Sequence, residues 1–209
     1  MLLHVATKIG HNNPILCDKG ENMRHITILL IIYAGYTLVV IAGAIAMIVK
    51  KNLKFLPELI ILYLWRGVYL YFESRGHFNT PAFVFALVIL TVLLHNLVGE
   101  FIDVYHKSTT FDRWLHLLGA FSYSLFIYSI IDHWLKPPGL PMLYVFLFVT
   151  CIGVTVGTLF EVLEFARDTA TRKKPRLPAQ HGLKDTDTDI IFNGIGAILA
   201  GVAAMFMYA

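Results

Sequence analysis

Apolar residues fall into six long runs separated by short polar stretches. The first, about residues 27–49, carries no charge and is ended by KKNLK. The second, about 55–72, holds Glu58 near its start and Arg66 in its middle. A third, about 82–104, follows Asn79-Thr80-Pro81, where Pro suits the first turn of a helix. The fourth, about 113–135, is closed by Lys136-Pro137-Pro138-Gly139, and the fifth covers about 141–165. The sixth, about 189–208, is rich in Gly and Ala, the small residues that let helices approach closely in lipid. A bilayer is crossed by about 20 consecutive apolar residues in a helix. The pattern predicts an all-α fold, a polytopic transmembrane helix bundle of about six spans, or five if the second run does not cross. Residues 1–25 read as a polar tail or surface segment, and 26–209 as the transmembrane domain.

Composition strengthens this picture. The chain of 209 residues is 57% hydrophobic and 15% charged, whereas soluble domains carry roughly 25% charged residues. The net charge of +3 is small, and most basic residues lie between the runs, which points to topology and away from nucleic acid. Residues 1–25 contain no apolar core of the kind a signal peptide needs. Cys17 and Cys151 sit in unlike settings and form no metal-ligating pair.

Orientation follows from the basic residues. The stretch between runs five and six holds Arg167, Arg172, Lys173, Lys174, Arg176 and Lys184. With that side cytoplasmic and six spans alternating, Lys50, Lys51, Lys54, Lys107 and Arg113 join it. Only Lys8, Lys19, Arg24, Arg75 and Lys136 fall outside, so both termini are expected outside. Alternation also brings together the end of run three, the start of run four, the end of run five and the start of run six. Those four ends carry the acids and histidines of the chain, and Glu58 joins them.

In run three, Asn96, Glu100 and Asp103 are spaced to share one helical face, with His95, Gly99 and His106 on a neighbouring stripe. At the head of run four, Asp112 and His116 are four apart and project together, beside Arg113. Gly157, Glu161, Glu164 and Asp168 align along one stripe of run five. Three acids on one stripe repel unless a cation or a basic side chain sits between them. The DTDTD run (Asp185, Asp187, Asp189) opens run six with Asn193 one turn deeper; it lacks the Gly and Glu of an EF-hand loop. Gln180-His181 stands just before it. Bland readings compete throughout: Asp112 as a helix cap, DTDTD as an N-terminal dipole complement, and the acids as salt-bridge partners of Arg66, Arg113 and Arg167.

Together, HN-x-x-GE (from His95), FDR-x-x-H (Phe111 to His116), G-x-x-x-E-x-x-EF-x-x-D (Gly157 to Asp168) and D-T-x-x-D-x-x-x-N-x-x-GA (Asp185 to Ala197) resemble the YjdF-like family of inner-membrane proteins. More loosely, the last element is similar to the end of VanZ-like membrane proteins. The resemblance covers about residues 30–205. It implies a multi-span helical protein of a bacterial or archaeal cytoplasmic membrane and carries no catalytic roles.

From the residues themselves, one polar site at the cytoplasmic end of the bundle is expected. Its metal-ligand pool is His95, Glu100, Asp112, His116, Glu161, Glu164 and Asp189, with Asn96, Arg113, Asp168, Asp185 and Asn193 around it. Mg²⁺, Mn²⁺ or Zn²⁺ suits such an oxygen-rich set containing imidazole. With a metal bound, His116, Asp112 and Glu164 are the catalytic candidates for hydrolysis or group transfer on a lipid or isoprenoid phosphate. Two alternatives stand beside it. One is a transporter in which the acids relay protons or ions, and the other is a scaffold locked by a buried ion-pair network.

Overall fold

The computed structural model describes residues 14–105, 107–135, 139–171 and 183–208, with the backbone alone at 14–19, 109, 168 and 171. His106, Lys136 to Pro138, the RKKPR stretch 172–176 and Gln180-His181 lie outside the described residues, as do the side chains of Cys17 and Asp168. Six helices follow one another: α1 (Pro14–Val49), α2 (Leu56–Ser74), α3 (Ala82–Leu93), α4 (Thr109–Leu135), α5 (Met142–Thr171) and α6 (Leu183–Tyr208). Leu53–Phe55 forms a 3₁₀ turn before α2, and a π-helical segment, Leu94–Phe101, prolongs α3. All six are long and apolar enough to cross a bilayer, the second included, over Leu53–Ser74. The chain is an integral membrane protein. Large apolar side chains such as Leu38, Leu163 and Phe206 lie exposed on its helices, where lipid surrounds them.

The centre is the α4–α5–α6 trio: α6 packs along both α4 and α5, and α4 also touches α5. Sequence periodicity explains the fit. On α5, Val145, Val149, Gly153, Gly157 and Glu161 are buried at intervals of four. On α6 the buried stripe runs Asp189, Asn193, Gly196, Ala197, Ala200, Gly201 and Ala204. Each stripe is small or apolar in its deep part and polar at one end. Lipid offers helices no hydrophobic drive to associate, so close van der Waals approach must do it. Gly196 shows how close: a Cβ there would stand 3.0 Å from the Leu117 carbonyl carbon of α4.

Outside this trio, α3 packs on α4, and α1 packs on α2 and α3. A second apolar core, built on Leu29, Tyr36, Met47, Leu59, Tyr69 and Phe85, fills that side. No extended interface joins α2 to α5.

Two expectations about the third span need correction. Helical regularity ends at Phe101 and not near residue 104. In the π-helical segment the Ile102 N–H reaches back five residues to the Leu97 carbonyl (2.9 Å), and Val104 N–H reaches Val98 O at 3.2 Å. Asp103 then turns the chain with φ of +67°. A π-helix has a longer repeat than the α-helix, so α-spacing no longer predicts which residues share a face. Asn96 is fully buried, Glu100 half-buried and Asp103 exposed. They do not share one face.

Candidate functional site

Polar ends of the stripes meet at one end of the bundle. His116, on the first turns of α4, is the hub. Its Nε2 stands 3.5 Å from Asp112 Oδ1, and its Nδ1 stands 3.5 Å from Glu161 Oε1 of α5. Asn193 of α6 places Nδ2 3.3 Å from the same Nδ1. Asn193 can approach because Gly157 faces it: a Cβ on Gly157 would lie 2.6 Å from Asn193 Cγ. His116, Glu161, Asp189 and Asn193 are all buried, and the Asp112 side chain is 13% exposed.

Two sets of three ligand atoms lie within 4.8 Å of one another: Asp112, His116 and Asp189 in one, and His116, Glu161 and Glu164 in the other. Opposite oxygens on a bound Mg²⁺ are about 4.2 Å apart, so a small inward movement closes either set. The His116 contacts, at 3.5 Å, are longer than a charge-assisted hydrogen bond, about 2.7–2.9 Å. Asp189 Oδ1 is buried with no donor among the described residues, and so is Asn96 Oδ1. A buried acceptor without a donor costs about 1–3 kcal/mol. A cluster of acids with an orphaned oxygen is the chemistry that a cation completes.

The remaining predicted residues divide. Glu100 does not join the ligand sets; its Oε1 takes a hydrogen bond from Arg167 Nη1 at 3.2 Å, whereas the salt-bridge reading gives Arg167 to the acids of α5. His95 also stands apart: Nδ1 is 2.6 Å from the Tyr105 hydroxyl and Nε2 3.5 Å from Glu58 Oε1. Asn96 donates Nδ2 to the Val92 carbonyl at 3.2 Å and lines the cavity described below. Arg113 is half-buried, and its positive field reaches Asp189, as does the negative field of Asp185. Asp187 is exposed. Arg66, named as a partner for the α5 acids, instead donates Nη2 to the Tyr123 hydroxyl at 2.7 Å.

Tyr105 is a member that sequence reasoning missed. It lies in the turn after the π-helical segment, against Gly99, where a side chain would collide with its ring. Burial pushes its phenol well above the usual value, and the fields of Asp112, Glu164 and Glu100 add to this. It is therefore a neutral hydroxyl that donates to His95 Nδ1, which leaves Nε2–H facing Glu58. No spacing rule marks an aromatic residue in such a turn.

Beneath the cluster lies a cavity of about 380 Å³. Glu58, His95, Asn96, Asp112, His116, Glu164, Arg167 and Asn193 line its polar end, and Leu62, Val92, Leu115, Gly119, Ala120, Tyr123, Val156, Phe160 and Leu163 the rest. The Phe160 ring stands edge-on to both His95 and His116, with centroids 6.1 and 5.8 Å away.

Among curated proteins the chain is similar to one of Thermotoga maritima described as uncharacterized, 33% identical over 129 residues. The match covers 60% of this chain and 63% of that protein, so the chain spans less than two thirds of its relative's length. No solved structure matches. The family described as "Predicted membrane protein (DUF2238)" matches residues 28–209, from the first turns of the membrane-spanning part of α1 to the end of the chain, and fits the YjdF-like resemblance of the four motifs. The chain belongs to that family of membrane proteins.

Proposed function

We propose that the cluster around His116 binds a divalent cation and that the protein is a membrane-embedded enzyme for hydrolysis or group transfer on a phosphorylated membrane substrate. One observation carries this reading: α4, α5 and α6 bring four carboxylates to a single imidazole, and Asp189 keeps a buried oxygen with no donor among the described residues. Ionisable groups at membrane depth are expensive, and such a concentration asks for compensation.

With His95 and Glu100 engaged elsewhere, the donors are mostly carboxylate oxygens with one nitrogen, which favours Mg²⁺ or Mn²⁺ over Zn²⁺. Asp112, Asp189 and His116 Nε2 form one ligand set. Binding through Nε2 puts the imidazole proton on Nδ1, where Glu161, 3.5 Å away, would accept it, the role that a carboxylate usually plays behind a metal-bound histidine; the Asn193 amide, whose Nδ2 faces that nitrogen in the metal-free protein, would turn away. Such an ion polarises a phosphoryl group and acidifies water. Glu164, on the cavity wall, is the base that takes the proton of the attacking water. Arg167, on the cavity wall, supplies positive charge for an anionic group, and Arg113 adds its field at Asp189.

The transporter alternative fits less well. Deep to the cavity, between Arg66 and Glu73 of α2, the rings of Tyr69, Phe78, Phe85 and Phe126 pack on one another with centroids 4.8–5.8 Å apart. The polar cavity is thus open at one end of the bundle and plugged towards the other.

Elemental analysis of protein purified in detergent without chelator tests the reading. Near-stoichiometric metal in the wild type, lost in Asp112→Ala and in Glu161→Ala with unchanged elution, is the expected result. Metal-free wild type overturns it.

A further inference from the structure

The deep part of the cavity has no use in metal binding. Its wall is apolar from Leu62 and Val92 to Val156, and Gly119 and Ala120 keep it open on the α4 side. It also has a side entrance. Phe160 and Leu163 line it and are nevertheless 42% and 65% exposed. Both belong to the membrane-spanning part of α5, and α2, which carries Leu62 opposite, has no extended interface with α5. Below His95, which reaches both Glu58 of α2 and Phe160 of α5, the α5 wall of the cavity therefore borders hydrocarbon beside α2.

The floor is polar again. Tyr123 lines it, held by the guanidinium of Arg66, which is 6% exposed in the middle of α2. Tyr123 accepts from Arg66, so its own proton is directed away from that bond. A buried charge at membrane depth is costly, and here its hydrogen bond fixes one ring at the bottom of the cavity. The shape is a polar mouth, an apolar shaft open sideways to lipid, and a firm end.

We infer that this shaft holds the single apolar chain of an amphiphile whose anionic head lies at the His116 cluster, entering from the bilayer between α2 and α5. The inference rests on the proposed metal site for the position of the head. Three observations select this occupant. Arg167, which pairs with Glu100, lines the mouth and complements an anion once the acids hold a cation. The shaft is continuous with the cluster. The whole cavity, polar mouth included, is about 380 Å³, near the low end of small-molecule pockets, about 300–1,000 Å³, so the shaft takes one chain at most. Prenyl and straight acyl-type chains share this chemistry.

The test measures retention by native mass spectrometry of the Mg²⁺-loaded protein in detergent. The probes are hexadecyl phosphate, farnesyl phosphate, butyl phosphate and the two-chain lipid phosphatidate, and metal content is read on the same samples. Wild type is expected to hold one single-chain phosphate at least about ten-fold more tightly than butyl phosphate or phosphatidate, since each buried methylene adds to affinity. The hexadecyl and farnesyl arms tell the two chain types apart. Gly119→Leu and Val156→Phe fill the shaft from opposite walls without touching an acid. Each should lose that preference about ten-fold and keep its metal. Equal binding of butyl phosphate, tighter binding of phosphatidate, or wild-type retention in both filled variants overturns the inference. Metal without chain preference sinks the shaft alone. Chain preference without metal leaves the shaft standing and sinks the proposed reaction.

Discussion

The bundle buries acid at both of its ends, and the two ends treat it in opposite ways. Glu73, near the end of α2, is 2% exposed. Its Oε1 accepts the Thr80 N–H at 2.9 Å and faces His25 Nε2 at 3.1 Å, and its Oε2 accepts the Tyr69 hydroxyl at 2.7 Å. Thr80 in turn contacts the hydroxyls of Tyr69 and Ser129. One carboxylate thus ties α1, α2, the start of α3 and α4, with donors on both oxygens. At the His116 end, four carboxylates share one imidazole at 3.5 Å or more, and Asp189 Oδ1 has no donor among the described residues. A buried acid supplied with donors is a structural joint. A crowd of buried acids in which one oxygen, Asp189 Oδ1, has no donor among the described residues is an arrangement for something that arrives. Counting charged residues does not separate the two, whereas following each oxygen to its donors does.

The largest expected effect breaks the structural joint. Glu73→Ala leaves the Tyr69 hydroxyl, the Thr80 N–H and the His25 ring without their acceptor, and removing one side of such a buried network costs about 3–5 kcal/mol. Unfolding in detergent should show that loss with metal content unchanged. A loss of metal with normal stability would exchange the roles of the two ends. Next in size is metal removal. Stripping the wild type with a chelator should lower its stability by about 2.7 kcal/mol relative to protein held at a hundred-fold excess over the dissociation constant. Asp112→Ala should not respond to the chelator at all. The sign reverses for Asp189→Asn. In metal-free protein, replacing one of several crowded carboxylates by an amide relieves like-charge repulsion. Stability should rise by about 1 kcal/mol, the size of one hydrogen bond or less, while metal is lost. A fall in metal-free stability would mean that Asp189 is a joint like Glu73.

Much of this architecture is legible in the sequence. Six apolar runs set the helices, and alternation of crossings is enough to bring Asp112, His116, Glu161, Glu164 and Asp189 to one end. The buried stripes of α5 and α6 follow from spacings of three and four. What the sequence conceals has two causes. The π-helical segment shifts backbone hydrogen bonding by one residue and ends helical regularity at Phe101, which no pattern of side chains announces. Glu73 stands at the end of an apolar run, where the sequence pattern does not distinguish a buried acid from an interfacial one. Its burial depends on Thr80 and Ser129 coming from other elements. Arg66 is conspicuous in the sequence, but its partner Tyr123 lies 57 residues away among many tyrosines. Contacts made across helices decide these cases, and helix periodicity holds no record of them.

The smallest effect concerns Tyr105, which borders the excess of acid without belonging to it. Tyr105→Phe removes the hydrogen bond to His95 Nδ1 and should cost about 1 kcal/mol at neutral pH, with metal content unchanged. Its signature is in the pH dependence. Burial first, and then the fields of Asp112, Glu164 and Glu100, hold the phenol above its usual value in the folded protein. In the unfolded chain it ionises near pH 10. Above that pH the unfolded state gives up a proton that the folded state keeps, so the contribution of Tyr105 is full below about pH 10 and is lost as pH rises beyond it. Unfolding curves of wild type and Tyr105→Phe should therefore run parallel through neutral pH and converge in alkali. Parallel curves throughout would show that the phenol ionises equally in both states and is not held by the acids around it. Loss of metal in Tyr105→Phe would instead make His95 part of the binding set and extend the excess of acid to the π-helical segment.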